Sequence, residues 1–165
     1  MTNSRLRLVK VYEVMSKHTI LVAEDSDDDV FFLKRAITRA GLNVQWQVVA
    51  NGEQAMAYLK GDLQYGNRER FPFPTLALLD IKMPRKNGLE VLKEIRCDPR
   101  LTRLLVVFLT SSDDPEDINL AYELHANSYL VKTNNAQDLE LLIQKLEEYW
   151  LSLNACPDCP DCPQV

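Results

Sequence analysis

Five short, mostly apolar segments recur along the chain, and four of them are followed directly by a polar or charged residue. They span residues 20–23, 44–49, 76–79, 104–109 and 128–131. Most of these segments do not alternate polar with apolar residues, which is typical of strands buried on both faces of a parallel sheet. Such a sheet is expected to be covered by helices on both sides.

The connections between these segments have helical periodicity, which the first and the last of them show most clearly. Residues 27–40 carry apolar side chains on one face, and Gly41 is placed to end that helix. In the last connection, Glu140 and Lys145 lie opposite an apolar face. The residues of that apolar face are Leu139, Leu142, Ile143, Leu146, Trp150 and Leu153.

Three further helices complete the pattern. They are predicted at residues 53–60, from Asn87 onward, and from Pro115, which suits the first turn of a helix. Five strands that alternate with five helices predict an α/β fold with a doubly wound parallel sheet. The polar residues 62–74 are predicted to form a surface loop before the third strand.

Acidic, hydroxyl and basic residues stand where these strands end. Glu24 and Asp25 follow the first strand, and Asp80 follows the third. Thr110 follows the fourth strand and Lys132 the fifth. In parallel α/β sheets the ligand site lies at the carboxyl ends of the strands. We therefore expect residues that are far apart in the sequence to converge at one edge of the sheet.

These residue types suit the transfer of a phosphoryl group to a carboxylate. A metal ion must neutralise oxygens of the transferring group, because the transition state is stabilised mainly by positioning and charge. Mg²⁺ prefers carboxylate, carbonyl and water ligands, and Glu24, Asp25 and Asp80 offer such a set. Lys132 can contact the phosphoryl oxygens as a cation, and the Thr110 hydroxyl can detect the new group.

Each of these residues also has a simpler explanation when it is taken alone. The acids after the first strand could cap the following helix, and Asp27 is the expected capping residue. Asp80 could be a turn residue before Pro84. Lys132 and Thr110 could be ordinary residues at the ends of strands. All of them together, in this order and each at a strand end, favour a functional site.

Charge and hydropathy argue against two classes of protein. The chain has 24 acidic and 19 basic residues, for a formal net charge of −5, and this disfavours direct binding of nucleic acid. Its apolar runs are far too short to cross a bilayer. No apolar stretch of signal-peptide length follows Arg5 and Arg7. We expect a cytoplasmic protein without a membrane contact.

Two terminal segments lie outside the five strand–helix pairs, so the folded domain is expected at residues 18–151. Residues 1–17 form an N-terminal extension, which is either an upstream start or a flexible arm. Residues 152–165 form a proline-rich tail with three cysteines, Cys156, Cys159 and Cys162. Three thiols could bind a metal, but structural zinc sites normally have four ligands, and such chain ends are more often disordered.

The motifs at these strand ends resemble the receiver domains of two-component signalling. The matching stretches are residues 20–29 (ILVAEDSDDD), residues 78–84 (LLDIKMP) with Asn87 and Gly88, Thr110 and Lys132. The resemblance covers about residues 18–150, and the combined motifs are highly specific. It implies a flavodoxin-like fold with strand order 2-1-3-4-5, and phosphoryl transfer from a histidine kinase.

The resemblance also implies a role for each residue. Asp80 would be the phosphoacceptor, and Lys132 would be the cation beside it. Thr110 and Tyr129 would form a switch pair, in which the ring turns inward when Thr110 moves toward the phosphoryl group. Mg²⁺ would be bound by the carboxylates of Glu24, Asp25 and Asp80. The backbone carbonyl of Lys82 would be a fourth ligand.

Within that family, two segments look like the small single-domain regulators that partner cyanobacterial and other bacterial phytochromes. They are residues 122–129 (YELHANSY) and 147–152 (EEYWLS). The long loop before Phe73 is similar as well. After Lys132 the chain departs from the commonest receiver pattern, because Thr133 replaces the usual proline. A cis peptide bond is therefore not expected there.

Aromatic residues suggest a contact surface formed by the fourth helix, the fifth strand and the fifth helix. Tyr122, Tyr129, Tyr149 and Trp150 could cluster on this face. In the resembled subgroup the face is similar to a homodimer interface, and we predict dimerisation on that basis. Alternatively, the aromatic residues of the fifth helix pack on their own sheet, and the sequence leaves this alternative open.

Three functions compete for this set of residues. The leading one is a signalling module in which phosphorylation of Asp80 changes a surface that another protein recognises. A phosphohydrolase with Asp80 as its nucleophile would usually carry a second acid two positions later, where this chain has Lys82. We therefore expect no enzymatic turnover of substrates. A phosphorylation-independent adaptor is disfavoured because the acidic, threonine and lysine set is intact.

Overall fold

The computed structural model describes residues 18–155, which form a five-stranded parallel sheet with helices on both faces. The strands are β1 (Thr19–Ala23), β2 (Gln45–Val49), β3 (Leu76–Leu79), β4 (Leu105–Thr110) and β5 (Ser128–Val131). The helices are α1 (Asp27–Ala40), α2 (Gly52–Lys60), α3 (Gly88–Cys97), α4 (Pro115–Glu123) and α5 (Ala136–Glu147). The order β2-β1-β3-β4-β5 confirms the predicted flavodoxin-like arrangement. The predicted N-terminal extension and the three tail cysteines lie outside the described residues.

The sheet separates two apolar layers. All residues of β1, β3 and β4 are buried, whereas the edge strands β2 and β5 are less so. Met56, Ile95 and Ala121 from α2, α3 and α4 cover one face, and Leu33 and Ile143 from α1 and α5 cover the other. Burial on both faces explains the unbroken apolar runs of the central strands. None of the helices within residues 18–155 has the length and apolar character that a bilayer crossing requires.

Side-chain caps determine where α1 and α3 begin, and both helices start near the carboxyl edge of the sheet. The Ser26 hydroxyl accepts a hydrogen bond of 3.2 Å from the Asp29 amide. Ser26 is therefore the N-cap of α1, and the prediction that Asp27 caps this helix is wrong. Asp27 is instead the first helical residue, where a negative charge interacts favourably with the helix dipole. Asn87 caps α3 through reciprocal hydrogen bonds with Glu90.

The last helix changes its winding, and this corrects one prediction about its apolar face. A π-helical segment, Glu148–Leu153, follows α5 directly. The wider π turn rotates the subsequent residues away from α-helical spacing. Leu151 is consequently buried, with 8% of its surface exposed. The α-helical spacing predicts Leu153 on the buried face, but Leu153 is 72% exposed. The segment extends two residues beyond the predicted domain boundary.

Residues 62–74 are more closely packed than the predicted surface loop. They contain a short 3₁₀ turn, and both Tyr65 and Phe73 are buried. The guanidinium group of Arg68 donates hydrogen bonds of 2.8 Å to two carbonyl groups of α2. The polar composition is misleading here because aromatic and arginine side chains of the segment turn back onto α2.

Candidate functional site

Acidic side chains from two neighbouring strands meet at the carboxyl edge of the sheet. Glu24 and Asp25 follow β1 and Asp80 follows β3, and one carboxylate oxygen of each lies within 4.8 Å of the others. Glu24 and Asp80 are buried, whereas Asp25 is exposed. Carboxylates this close repel one another unless cations compensate their charge. The structure thus brings these three predicted residues together in an arrangement that favours a cation.

Lys132 lies beside this acidic cluster, directly after β5. Its Nζ atom lies 2.5 Å from Glu24 Oε2, 2.7 Å from Asp29 Oδ2 and 3.1 Å from Asp80 Oδ2. The lysine side chain is only 15% exposed, so water screens these ion pairs incompletely. One ammonium group faces three carboxylates here, and the cluster therefore keeps a net negative charge.

Burial and charge act in opposite directions on the ionisable groups of the cluster. Burial alone would lower the pKa of Lys132, but the hydrogen bonds to Asp29 and Glu24 and the charge of Asp80 outweigh it and raise this pKa. The lysine is consequently protonated at neutral pH. Burial raises the pKa of the Glu24 carboxyl, although Lys132 and the Ser26 amide act to lower it. Glu24 would therefore gain from a further cation nearby.

Asp80 has one carboxylate oxygen that is left without a partner. Its Oδ2 atom accepts a hydrogen bond from Lys132, while Oδ1 is buried and has no hydrogen-bond partner among residues 18–155. A buried, unpaired carboxylate oxygen costs free energy unless a donor or a cation compensates it. Together with the carboxylates of Glu24 and Asp25, this oxygen provides the ligands that a hard divalent cation such as Mg²⁺ prefers. The residues therefore fit the predicted metal.

Main-chain contacts hold Asp80 at the edge of the sheet. Its amide donates to the Ala23 carbonyl at 3.0 Å, which extends the β1–β3 pairing by one residue. Gly88 packs so closely on the Asp80 carbonyl that a Cβ atom at position 88 would overlap it. The Gly88 amide also donates to the Ile81 carbonyl at 3.0 Å. β1 thereby holds the backbone on the amide side of Asp80, and the start of α3 holds it on the carbonyl side.

The predicted switch residues are linked through the loop that follows β4. Thr110 is fully buried, and its Oγ1 atom accepts a hydrogen bond of 3.3 Å from the Ser112 amide. The Tyr129 hydroxyl donates to the Ser112 carbonyl at 3.0 Å. Burial raises the pKa of Tyr129, so its hydroxyl remains a donor at neutral pH. Sequence reasoning does not identify this link through Ser112, since it depends on the path of the loop.

Asp29 is a member of the site that the sequence pattern does not reveal. Three consecutive acids, Asp27 to Asp29, occupy the first turn of α1, where acids are expected for the helix dipole alone. The available signal is position, because the third residue of a helix directs its side chain back toward the N-cap. Only the fold shows that Lys132 arrives at the same place.

Lys82 lies in the loop between β3 and α3, and its side chain is exposed. The resemblance implies that the backbone carbonyl of this residue binds Mg²⁺, and this role stays a prediction. The peptide bonds of residues 18–155 include no cis bond. This agrees with the expectation for Thr133, which replaces the usual proline after Lys132.

A cavity of about 320 Å³ opens beside Asp80 and Lys132. Charged and polar side chains line it near the acidic cluster, and Leu33 and Leu139 line the part between α1 and α5. Asp80 is itself among the residues that line the cavity, so the predicted phosphoacceptor is buried but borders an open space.

The four aromatic residues predicted to form one surface cluster have different environments. Tyr122 and Tyr149 are exposed. Tyr129 packs against the core layer of α2, α3 and α4, and Trp150 packs against the layer of α1 and α5. For Trp150, packing on its own sheet is therefore observed. The rings of the two exposed tyrosines are apolar surface that a partner could contact.

Comparison with known proteins identifies the family. A model of the response regulator receiver domain matches residues 20–144. Response regulator Rcp1 of Synechocystis sp. is 38% identical over 138 residues, which cover 84% of this chain and 92% of that protein. The Mn²⁺-bound structure of Rcp1 has a TM-score of 0.75 at 37% identity, and the match covers 86% of this chain and 99% of that chain.

Two further solved structures are similar over nearly their whole length. The phosphorylated cyanobacterial phytochrome response regulator RcpA has a TM-score of 0.78 at 36% identity, over 86% of this chain and 99% of that chain. A response regulator in red light signaling of R. palustris has a TM-score of 0.81 at 34% identity, over 86% of this chain and 99% of that chain. Sequence, strand order and three-dimensional similarity agree, and this chain belongs to the response regulator receiver domain family.

Proposed function

We propose that this chain is a phosphorelay response regulator that accepts a phosphoryl group from a histidine kinase on Asp80. The environment of the Asp80 carboxylate carries this proposal. It is buried at the carboxyl edge of the sheet, with one oxygen 3.1 Å from Lys132 Nζ and the other oxygen unpaired among the described residues. A carboxylate beside a fixed cation, with ligands ready for a second one, meets the electrostatic needs of phosphoryl transfer.

The transfer is a displacement at phosphorus. A carboxylate oxygen of Asp80 forms the new P–O bond while the P–N bond of the kinase phosphohistidine breaks, and the histidine nitrogen keeps the electron pair. Mg²⁺, when bound, supplies positive charge to the phosphoryl oxygens. Lys132 can contact the same oxygens, because its ammonium group already lies between Glu24 and Asp80. The Mg²⁺ ligands would be Glu24, Asp25, Asp80 and the backbone carbonyl of Lys82.

Thr110 and Tyr129 would carry the change to the surface. The bond from the Ser112 amide to Thr110 Oγ1 is long, at 3.3 Å, and can be exchanged for a contact with the phosphoryl group. The Tyr129 hydroxyl is bonded to the Ser112 carbonyl, so the ring would follow the loop. We place the output, whether partner binding, phosphoryl relay or homodimer formation, on the surface of α4, β5 and α5, to which the exposed Tyr122 belongs.

We further propose that the kinase is a phytochrome. The similarity to RcpA and to the R. palustris regulator, which extends over 86% of this chain in both cases, supports this assignment. Transfer from a bacterial phytochrome kinase should be faster than transfer from an unrelated histidine kinase. We place the protein in the cytoplasm, where the exposed thiol of Cys97 would remain reduced.

A phosphohydrolase that uses Asp80 as its nucleophile is the alternative function. Such an enzyme needs an acid–base group for the leaving group, and the exposed Lys82 does not provide one at the expected position. A phosphorylation-independent adaptor is less favoured still. It would gain nothing from a buried, unpaired Asp80 oxygen, which costs stability.

Incubation with acetyl phosphate and Mg²⁺, followed by measurement of the intact mass, tests the proposal. We expect one phosphoryl adduct on the wild type and none on Asp80→Asn. Asp113→Asn alters an exposed acid in the loop after β4 and should keep the adduct. A folded wild-type protein that shows no adduct at saturating Mg²⁺ would refute the proposal. Sustained hydrolysis of many phosphoesters would favour the phosphohydrolase instead.

A further inference from the structure

Asp29 differs from the other two carboxylates that contact Lys132. Glu24 and Asp80 belong to the group of acids whose oxygens converge for a metal, and Asp29 does not. The Asp29 Oδ2 atom nevertheless lies 2.7 Å from Lys132 Nζ, closer than the 3.1 Å between Nζ and Asp80 Oδ2. Within residues 18–155, Asp29 is therefore the ion-pair partner of Lys132 that lies outside the metal-ligand cluster.

Two cations have to share the same carboxylates when a divalent ion is present. Glu24 and Asp80 would then face the metal, and an ammonium group held against them would be repelled by it. Lys132 needs a partner that the metal does not use. Asp29 can fill this role, because its backbone is fixed by the hydrogen bond from its amide to Ser26 Oγ at 3.2 Å. Its side chain is 41% exposed, so water reaches this carboxylate as well as Lys132.

We propose that Asp29 is a positioning residue that holds Lys132 beside the metal site while Mg²⁺ is bound. The inference rests on the proposed function and deepens it, since it concerns the same site. The Asp29 carboxylate retains the ammonium group close to Asp80 but reduces its competition with Mg²⁺ for Glu24 and Asp80. Lys132 is then available to the phosphoryl oxygens without displacing the metal.

Asp28 provides a matched control. It precedes Asp29 in the first turn of α1 and is exposed. The ion pairs of Lys132 within the described chain are with Glu24, Asp29 and Asp80, and so do not include it. The changes Asp28→Asn and Asp29→Asn each remove one negative charge near the site. Any difference between the two variants therefore reports the contact with Lys132 rather than net charge.

The affinity for Mn²⁺, used as a probe, tests the proposal without phosphorylation. It can be measured from the electron paramagnetic resonance signal of the free ion. Asp29→Asn should bind Mn²⁺ about fivefold more weakly than Asp28→Asn, because the ammonium group returns to Glu24 and Asp80. Asp29→Glu keeps a carboxylate and should recover most of the affinity. Phosphorylation of Asp29→Asn by acetyl phosphate should be slow at low Mg²⁺ and should reach the rate of Asp28→Asn at saturating Mg²⁺.

Equal Mn²⁺ affinities in Asp28→Asn and Asp29→Asn would overturn the proposal. A phosphorylation defect of Asp29→Asn that saturating Mg²⁺ does not relieve would overturn it too, because the residue would then act on the chemistry or the fold. Thermal unfolding midpoints of the variants check the fold. A wild type that binds Mn²⁺ but takes no phosphoryl group would refute the proposed function, while the Mn²⁺ comparison would still decide the role of Asp29.

Discussion

Replacement of Lys132 by methionine should expose the repulsion among the carboxylates around it. Methionine keeps most of the length of the side chain and removes the ammonium group. The side chains of Glu24 and Asp80 are only 5% and 7% exposed, so they would remain buried without a cation between them. Breaking a buried ion pair by removing one partner costs about 3–5 kcal/mol. We expect the lower end, about 3 kcal/mol, because the third partner, Asp29, is accessible to water.

This loss should depend on pH and on Mg²⁺ in defined directions. Acidification should shrink it, because burial raises the pKa of Glu24 and the variant lacks the ammonium group that lowers it. In the wild type the pKa of Lys132 is raised by folding above its ordinary value of 10.5. As far as the ionisation of the lysine itself is concerned, its contribution to stability is therefore complete below this pH and disappears as pH rises through the higher, folded-state value. Mg²⁺ replaces the missing charge and should stabilise Lys132→Met more than the wild type.

Urea unfolding followed by circular dichroism measures these free energies. Lys145→Met removes an exposed ion pair with Glu148 and serves as the control. It should cost less than about 0.5 kcal/mol. A Lys132→Met variant as stable as this control at neutral pH without Mg²⁺ would refute the reasoning. So would a destabilised variant that does not respond to Mg²⁺.

Three further predictions concern the supports of the site. Hydrogen bonds from Lys60 and Lys86 lower the pKa of Glu94, so Glu94→Gln should cost about 1 kcal/mol in urea unfolding at neutral pH. That difference should vanish as pH falls through the lowered pKa, and a pH-independent difference would contradict it. Gly88→Ala places a Cβ atom against the phosphoacceptor's carbonyl. It should cost about 2 kcal/mol and slow phosphorylation by acetyl phosphate, and an unchanged rate would show that the close packing of Gly88 does not position Asp80. Tyr129→Phe should lower the free energy of unfolding in urea by about 1 kcal/mol, because it removes the hydrogen bond to the Ser112 carbonyl. The variant should still form the phosphoryl adduct, as measured by intact mass.

The positions of the strands could be predicted from the sequence because four of the five apolar runs are followed directly by a charged or polar residue. The predicted bounds agree with the structure for the strands at residues 76–79 and 128–131 and for the helix at residues 27–40. The convergence of Glu24, Asp80 and the other strand-end residues follows from the general geometry of parallel sheets. These features depend on the periodicity of apolar residues and on the order of strands and helices, and both can be read from the sequence.

The features that could not be predicted depend on side-chain direction and on local winding. Ser26 rather than Asp27 caps α1, because its hydroxyl reaches the third amide of the helix. Leu153 is exposed because a π turn interrupts the α-helical spacing. The ion pair between Asp29 and Lys132 depends on how the start of α1 and the end of β5 lie in the fold. The unpaired oxygen of Asp80 depends in the same way on the side chains that surround it.

Chemical mapping of the phosphorylated residue tests the central claim most directly. Borohydride reduces an acyl phosphate on aspartate to homoserine, which tandem mass spectrometry of the digested protein locates in the sequence. After incubation with acetyl phosphate and Mg²⁺, we predict homoserine at position 80 and at no other acid, with none when Mg²⁺ is removed by a chelator. Homoserine at Asp25 or Asp29, or a phosphoryl adduct without homoserine at position 80, would contradict the assignment of Asp80 as the phosphoacceptor.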